Sequence, residues 1–294
     1  MKEIVIISGK GGTGKTSLTA SFAMLGGKDV IVADCDVDAA DMHLLLEPDF
    51  QDSEDFYSGE LAYIKQDQCI KCGKCADVCR FDAIPIINTR YIVDPLSCEG
   101  CGYCARVCPT NAIINKSLNV GKWYISNIKT GSTMVHAKLG IGADNSGKLV
   151  AKVKSEAKNI AEEEQKDFVI VDGSPGVGCP VVSSLSGASF VVLVTEPSVS
   201  GLHDLKRVYE LVNKFNIKAG CIINKSDINQ KVTVEIENFL EKENIVHLAS
   251  LPYNEDFTKA MTIGQTIVEY SNGSLKQLIT DSWNNILNIV NIKK

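Results

Sequence analysis

No apolar run in this 294-residue chain approaches the ~20 residues that a membrane-spanning helix needs. Only Lys2 and Glu3 follow the first methionine before the strand-like stretch Ile4 to Ile7. That stretch is too short for a secretory h-region and has no small-residue cleavage site, so a cytoplasmic location is expected. Histidine is scarce: His43, His136, His203 and His247 show no metal-ligand spacing. Neither a Ser-His-Asp set nor a pair of carboxylates suited to a hydrolase emerges. Charge of one sign is also in short supply. A formal net charge of −6 gives no general attraction for nucleic acid or an anionic membrane. What remains is a globular composition, 45% hydrophobic and 22% charged, long enough for a large core plus a small inserted domain.

Cysteine, by contrast, is plentiful. In a reducing compartment the eleven cysteines read as metal ligands or free thiols and not as disulfides. Eight of them fall in two similar units between about Leu61 and Ser117: Cys69, Cys72, Cys75 and Cys79, then Cys98, Cys101, Cys104 and Cys108. The offset from Cys69 to Cys98 is 29 residues. Runs of this spacing supply three thiolates to an iron–sulfur cluster from one tight loop, while the fourth cysteine reaches the other cluster. Cluster I is therefore expected on Cys69, Cys72, Cys75 and Cys108, and cluster II on Cys98, Cys101, Cys104 and Cys79. Zinc is the rival, since paired C-x2-C units also build four-cysteine zinc sites. Three close thiolates plus a distant one, twice, with Pro109 after the last, favour two [4Fe–4S] clusters. Arg80 stands where the corresponding proline of the first run would be. Cys35 and Cys221 read as small core residues on strands, and Cys179 as a buried thiol.

Around this segment the chain reads as an α/β frame. Ile4 to Ile7, Val30 to Ala33, Phe168 to Val171, Phe190 to Val194 and Cys221 to Ile223 are short apolar runs that alternate with helical patterns. Such alternation predicts a doubly wound, mostly parallel sheet. The frame is expected over residues 1–60 and 119–294, with 61–118 inserted. Trp123 to Ile125 and Met134 to Ala137, about a Gly-Ser turn, read as a hairpin that returns the chain to the frame.

Gly9-Lys10-Gly11-Gly12-Thr13-Gly14-Lys15-Thr16, between a predicted strand and a predicted helix, fits the phosphate-binding loop. Glycines let backbone N–H groups close around phosphate oxygens, the helix N-terminus adds positive potential, and Lys15 supplies a charge. The Thr16 hydroxyl is placed to ligate Mg²⁺. The plainer alternative is a glycine turn ahead of a helix. A second match, Gly142 to Leu149, ends in a residue that cannot ligate Mg²⁺ and follows no evident buried strand, so it is expected to be a loop.

The extra lysine, Lys10, makes the first motif resemble the deviant Walker A loop of the MinD/ParA/nitrogenase iron protein class. Other stations follow in order: Ala33-Asp34-Cys35-Asp36, Asp172-Gly173-Ser174-Pro175-Gly176, Asn224-Lys225 and Pro252-Tyr253-Asn254. Each aspartate alone could be a helix cap or a turn residue. With the cysteine unit, and with Asn145 to Val150 and Val194 to Arg207, nearly the whole chain resembles the MinD-superfamily P-loop ATPases that contain an inserted ferredoxin domain. That resemblance implies ATP binding by Gly11, Gly12, Thr13, Gly14, Lys15, Thr16 and Ser17, with Asn224, Lys225 and Pro252 near the base. It implies Mg²⁺ on Thr16, Asp34 and Asp172, water oriented by Asp36, slow hydrolysis, and a sandwich homodimer in which Lys10 reaches the partner's nucleotide.

The expected function is an ATP-dependent dimeric switch coupled to two [4Fe–4S] clusters, gating electron transfer to a redox or metallocluster partner or working with a paralogous ATPase. An iron–sulfur carrier or scaffold is one alternative. A positioning ATPase like MinD, bound to membrane, is another. The last rests on the helical spacing of Leu275, Leu278, Ile279, Ile286, Leu287 and Val290, a face more often packed on its own core and here not notably basic.

Overall fold

The computed structural model describes residues 1–140 and 146–290. It opens with strand β1 (Lys2–Ser8), helix α1 (Lys15–Gly26), strand β2 (Val30–Asp34) and the single-turn helix α2 (His43–Leu46). Then come β3 (Asp52–Ile64), α3 (Lys74–Asp77), β4 (Ile86–Ile87), β5 (Arg90–Tyr91), α4 (Tyr103–Val107) and β6 (Ile113–Asn127). The chain continues through β7 (Thr133–Leu139), α5 (Ser146–Glu163), β8 (Phe168–Asp172), α6 (Cys179–Leu185), β9 (Phe190–Thr195) and α7 (Val199–Lys214). It closes with β10 (Ala219–Ile223), α8 (Gln230–Lys242), β11 (Val246–Ser250), α9 (Asp256–Thr262), α10 (Ile267–Tyr270) and α11 (Ser274–Ile289). Two compact units result: Met1–Glu54 with Trp123–Lys138 and Ser146–Lys294, and Asp55–Lys122 with Leu139–Asn145.

In the first unit the strands lie in the order β11-β10-β9-β1-β8-β2-β7. Every pairing along that order is parallel. Strands buried on both faces must be apolar throughout, which is why β1, β2, β8 and β9 are runs of Val, Ile and Phe without alternation. Their shared direction brings the carboxyl ends of β1, β8 and β2 to one edge. The register sets Ile6 beside Asp172 and Asp172 beside Asp34. Two sequence-distant carboxylates thus meet beyond the strand that leads into the glycine loop. Open α/β sheets bind ligands in this crevice.

One side of the sheet is closed by α1 and α11. Phe22 stacks on Trp283 with ring centroids 5.5 Å apart, and Phe168 meets the same indole edge-on at 5.9 Å. Leu275, Ile279, Ile286, Leu287 and Val290 are buried in that cluster and Leu278 packs against it. The apolar stripe of the last helix is therefore covered by its own core. Among the described residues no helix is long and apolar enough to cross a membrane.

β6 and β7 form the expected return, and β7 pairs in parallel with β2, Ala33 beside Val135. The second glycine-lysine match needs correction. Its residues 142–145 lie outside the described part of the chain, but Lys148 and Leu149 belong to α5, with Leu149 fully buried, and a buried strand precedes them. His136 lies in the buried stretch of that strand. Its imidazole is accommodated inside by a 2.9 Å hydrogen bond with the Ser126 hydroxyl and by stacking on Tyr124 at 5.0 Å.

In the second unit the sequence repeat becomes a backbone repeat. Left-handed residues recur at the same offset: Lys71 (φ 58°) and Gly100 (62°), Gly73 (80°) and Gly102 (70°), Asp82 (50°) and Asn111 (51°). The Lys65 amide donates to the Ala112 carbonyl at 2.8 Å, and the Asp94 amide to the Ala83 carbonyl at 2.8 Å. These bonds are equivalents exchanged between the halves, a local two-fold relation. The buried hydrophobic cluster between the halves is small: Ala62, Ile64, Cys75, Ile84 and Ile113.

Candidate functional site

The glycine loop follows β1 and leads into α1. Gly14 precedes the helix with φ 92°, and a Cβ there would stand 2.5 Å from the Asn224 side-chain nitrogen. Glycine is required for both reasons. Asn224, just past β10, donates to the Thr13 carbonyl at 2.8 Å, so the far strand braces the loop. Thr13 lines the adjoining cavity, and its hydroxyl is buried with no hydrogen-bond partner among the described residues. A phosphate oxygen there would supply one. The cavity is bounded by Gly11, Gly12, Thr13, Gly14, Lys15, Thr16, Ser17, Asp36, Ser174 and Pro175.

Lys15 lies 2.9 Å from Asp172 and 3.2 Å from Asp36. Burial works to lower its pKa, but Asp172 and then Asp36 outweigh it and hold the ammonium charged above its ordinary range. The Thr16 hydroxyl donates to Asp172 Oδ2 and the Thr19 hydroxyl to Oδ1, each at 2.8 Å. Asp34 is buried beside Asp172 and accepts the Asp36 amide at 3.2 Å. Burial, then Asp172, pushes its carboxyl up to about 8, against the pull of Lys15. Asp36 is raised by burial too, with Lys15 opposing. Three carboxyl groups thus gather about one lysine. Their oxygens and the Thr16 hydroxyl are of the donor type Mg²⁺ favours, without being closed around a single ion position.

Lys10 is held within its own chain, 2.6 Å from Glu196 and 3.0 Å from the hydroxyls of Ser198 and Ser200. Glu196 also pairs with Lys225 at 2.8 Å, and Lys225 donates to the Gly12 carbonyl at 3.3 Å. Burial opposes ionisation of Glu196, yet hydrogen bonds from Lys10 and Lys225 prevail and hold its pKa below the usual range. Glu196 thus links both cations to the loop, a role its sequence neighbourhood does not announce. A second cavity is bounded by Gly12, Gly14, Ser17, Asn224, Lys225, Tyr253, Asn254, Phe257, Thr258 and Met261. Pro252 lines neither cavity. The α9 residues Phe257, Thr258 and Met261 carry no motif by which sequence could single them out.

In the second unit two small cavities, about 20 Å³ each, lie among the cysteines. Cys79, Cys98, Cys101 and Cys104 line the first, and Cys69, Cys72, Cys75 and Cys108 the second. The fourth cysteine of each run faces the cavity of the other run. Equivalent amides donate to these exchanged sulfurs, Ala83 to Cys79 at 3.4 Å and Ala112 to Cys108 at 3.3 Å. Burial opposes the Cys108 thiolate, but hydrogen bonds from the Thr110 amide and hydroxyl and from Ala112 lower its pKa nonetheless. Burial raises the thiol pKa of Cys75 and Cys104. Among the described residues no group of three or more His, Cys, Asp or Glu side chains is gathered to hold a single metal ion. Sulfurs around one zinc must close to roughly 3.8 Å of one another, given Zn–S bonds of about 2.3 Å. Cys179 departs from expectation: as the first residue of α6 it is exposed, not buried.

A parallel sheet with a glycine loop beyond its central strand, a lysine and a threonine on the following helix and an aspartate ending the neighbouring strand defines a P-loop nucleotide-binding protein. The CobQ/CobB/MinD/ParA nucleotide binding domain matches residues 4–267, and the chain belongs to that family of MinD/ParA-type P-loop ATPases. It is similar to Uncharacterized protein MJ0578 of Methanocaldococcus jannaschii, 37% identical over 229 residues covering 77% of this chain and 79% of the relative. Uncharacterized protein MJ0579 of the same organism is 27% identical over 280 residues, 92% of this chain and 94% of the relative. Among solved structures, the septum site-determining protein MinD of Pyrococcus horikoshii OT3, complexed with Mg-ADP, shares the fold. Its TM-score is 0.60 at 19% identity, over 98% of this chain and 96% of that one.

Proposed function

We propose that this chain is an ATP-dependent dimeric switch whose inserted unit, 61–118 by sequence, is a ferredoxin-like domain holding two [4Fe–4S] clusters. On this reading it gates electron transfer to a partner protein. The observation that carries the proposal is the sorting of eight cysteines into two cavities, four to each, with one cysteine exchanged between the repeats. That exchange is the ligation rule of two-cluster ferredoxins. The small core of the unit agrees, since domains of this size commonly need a metal or another staple to hold a fold.

In the nucleotide site, the loop amides and Lys15 bind the phosphates, with the orphaned Thr13 hydroxyl among the donors. Thr16, Asp34 and Asp172 hold Mg²⁺, and Asp36 orients the attacking water. Asn224, Tyr253 and Asn254 border the space for the base. Lys10 exchanges its contact with Glu196 for the nucleotide of a second copy. Bound to their cysteines, the clusters supply reversible one-electron storage. The relative solved with Mg-ADP supports the same ligand class here. Two relatives in one organism make a paralogue a further candidate for the second subunit.

Anaerobic loading with iron and sulfide followed by metal analysis and EPR tests the reading. Two [4Fe–4S] clusters per chain are expected, together with ATP hydrolysis that Lys15→Ala abolishes. Stoichiometric zinc in place of iron would refute the cluster assignment. Incubation with an apo-acceptor separates gating from a carrier role: retained clusters exclude the carrier.

A further inference from the structure

Two halves related by one offset would be expected to give two equivalent cavities, but their linings differ in charge. Where Lys71 and Lys74 line the cavity of Cys69, Cys72, Cys75 and Cys108, Gly100 and Tyr103 occupy the equivalent places in the other. Ile70 in the first corresponds to Glu99 in the second, and Thr110 to Phe81. The Thr110 hydroxyl lies 3.7 Å from Cys108 Sγ, whereas Phe81 has no hydroxyl to offer Cys79. The charged differences have the same sign. Two lysines and Thr110 are among the residues lining one cavity; Glu99, Phe81 and Tyr103 are among those lining the other.

We propose that the site on Cys69, Cys72, Cys75 and Cys108 is the electron sink of the inserted unit, set at the higher reduction potential by Lys71, Lys74 and Thr110. The site on Cys79, Cys98, Cys101 and Cys104 is the lower-potential partner, depressed by Glu99. This rests on the cluster reading above. One-electron reduction adds a negative charge with no bond made or broken, so nearby cations and hydrogen bonds to ligand sulfur favour the reduced form, and a carboxylate opposes it. With both sites loaded, an electron at the Glu99 site would pass to the Lys71–Lys74 site, the first being oxidised as the second is reduced. Lys71, Lys74 and Glu99 are all exposed, so their influence is screened and shrinks with salt.

The test is an EPR-monitored redox titration of the anaerobically loaded full chain, with iron and sulfide counted on every sample. The wild type is expected to show two one-electron waves separated by at least tenfold in equilibrium, about 59 mV. Lys71→Gln with Lys74→Gln should lower only the upper wave, and less so at high salt. Glu99→Gln should raise only the lower wave, and Glu99→Lys should raise it further. Coincident waves in a fully loaded protein, or Glu99 variants that move the upper wave, would overturn the assignment while leaving the cluster reading intact. An iron count near zero would overturn both.

Discussion

At the scale of single residues, the phosphate site is a balance between burial and pairing. Asn224→Ala removes the 2.8 Å bond to the Thr13 carbonyl and leaves a buried acceptor unpaired, at a cost of about 1–3 kcal/mol. Nucleotide affinity measured by calorimetry should fall roughly tenfold, the equivalent of about 1.4 kcal/mol. His136 offers a pH test away from the site. Burial, and then His43, lowers its pKa to about 4, against Asp49. The unfolded chain binds its proton near 6.5, so between these values the unfolded state holds more protons. Stability therefore rises with pH across that window and is lost as pH falls through it. His136→Gln, which keeps a partner for Ser126, should recover on the order of 3 kcal/mol near pH 4 in denaturant titrations and change little at pH 8. Lys15, Thr16 and Asp172 are legible in sequence because spacing and strand ends announce them. Glu196 and the α9 residues are not: their part depends on which segments the sheet brings together.

Elements carry the next layer of the account. The continuous apolar runs of β1, β2, β8, β9 and β10 are readable because both faces of a parallel sheet demand them. β7 is legible as half of the return hairpin, Met134 to Ala137, even though His136 interrupts its apolar run; that side chain is satisfied by a residue on another strand. The start of α5 is not legible, because a glycine-lysine match reads as a loop. For α11, helical spacing alone leaves core packing and membrane contact open, and its burial against Phe22 and Phe168 decides for the core. Trp283→Ala should cost about 3–5 kcal/mol in urea unfolding. Trp283→Phe should cost much less, because the indole N–H is buried without a partner and its removal relieves that penalty. The cluster proposal makes a prediction at this scale too. With a buried cluster this small, iron removal from the loaded protein should expose Asp55–Lys122 to limited proteolysis, while the phosphate-loop frame stays resistant.

For the whole molecule, the cysteine unit enters the chain between Asp36 and Asp172, the two aspartates that flank Lys15. The proposed coupling of nucleotide state and cluster state rests on this order along the chain. Lys10 is the group that would report a partner, and Glu196 and two serines hold it in place. Lys10→Ala should leave MgATP binding nearly unchanged and abolish ATP-induced dimerisation in sedimentation experiments. The central claim is that nucleotide state and cluster state are coupled, and anaerobic EPR of the dithionite-reduced, fully loaded protein with and without MgATP tests it most directly. Two [4Fe–4S] signals per chain are predicted, altered in shape or potential by MgATP in the wild type and unaltered in Lys15→Ala. Two clusters whose signals and potentials MgATP leaves unchanged, in a chain that stays monomeric, would contradict it.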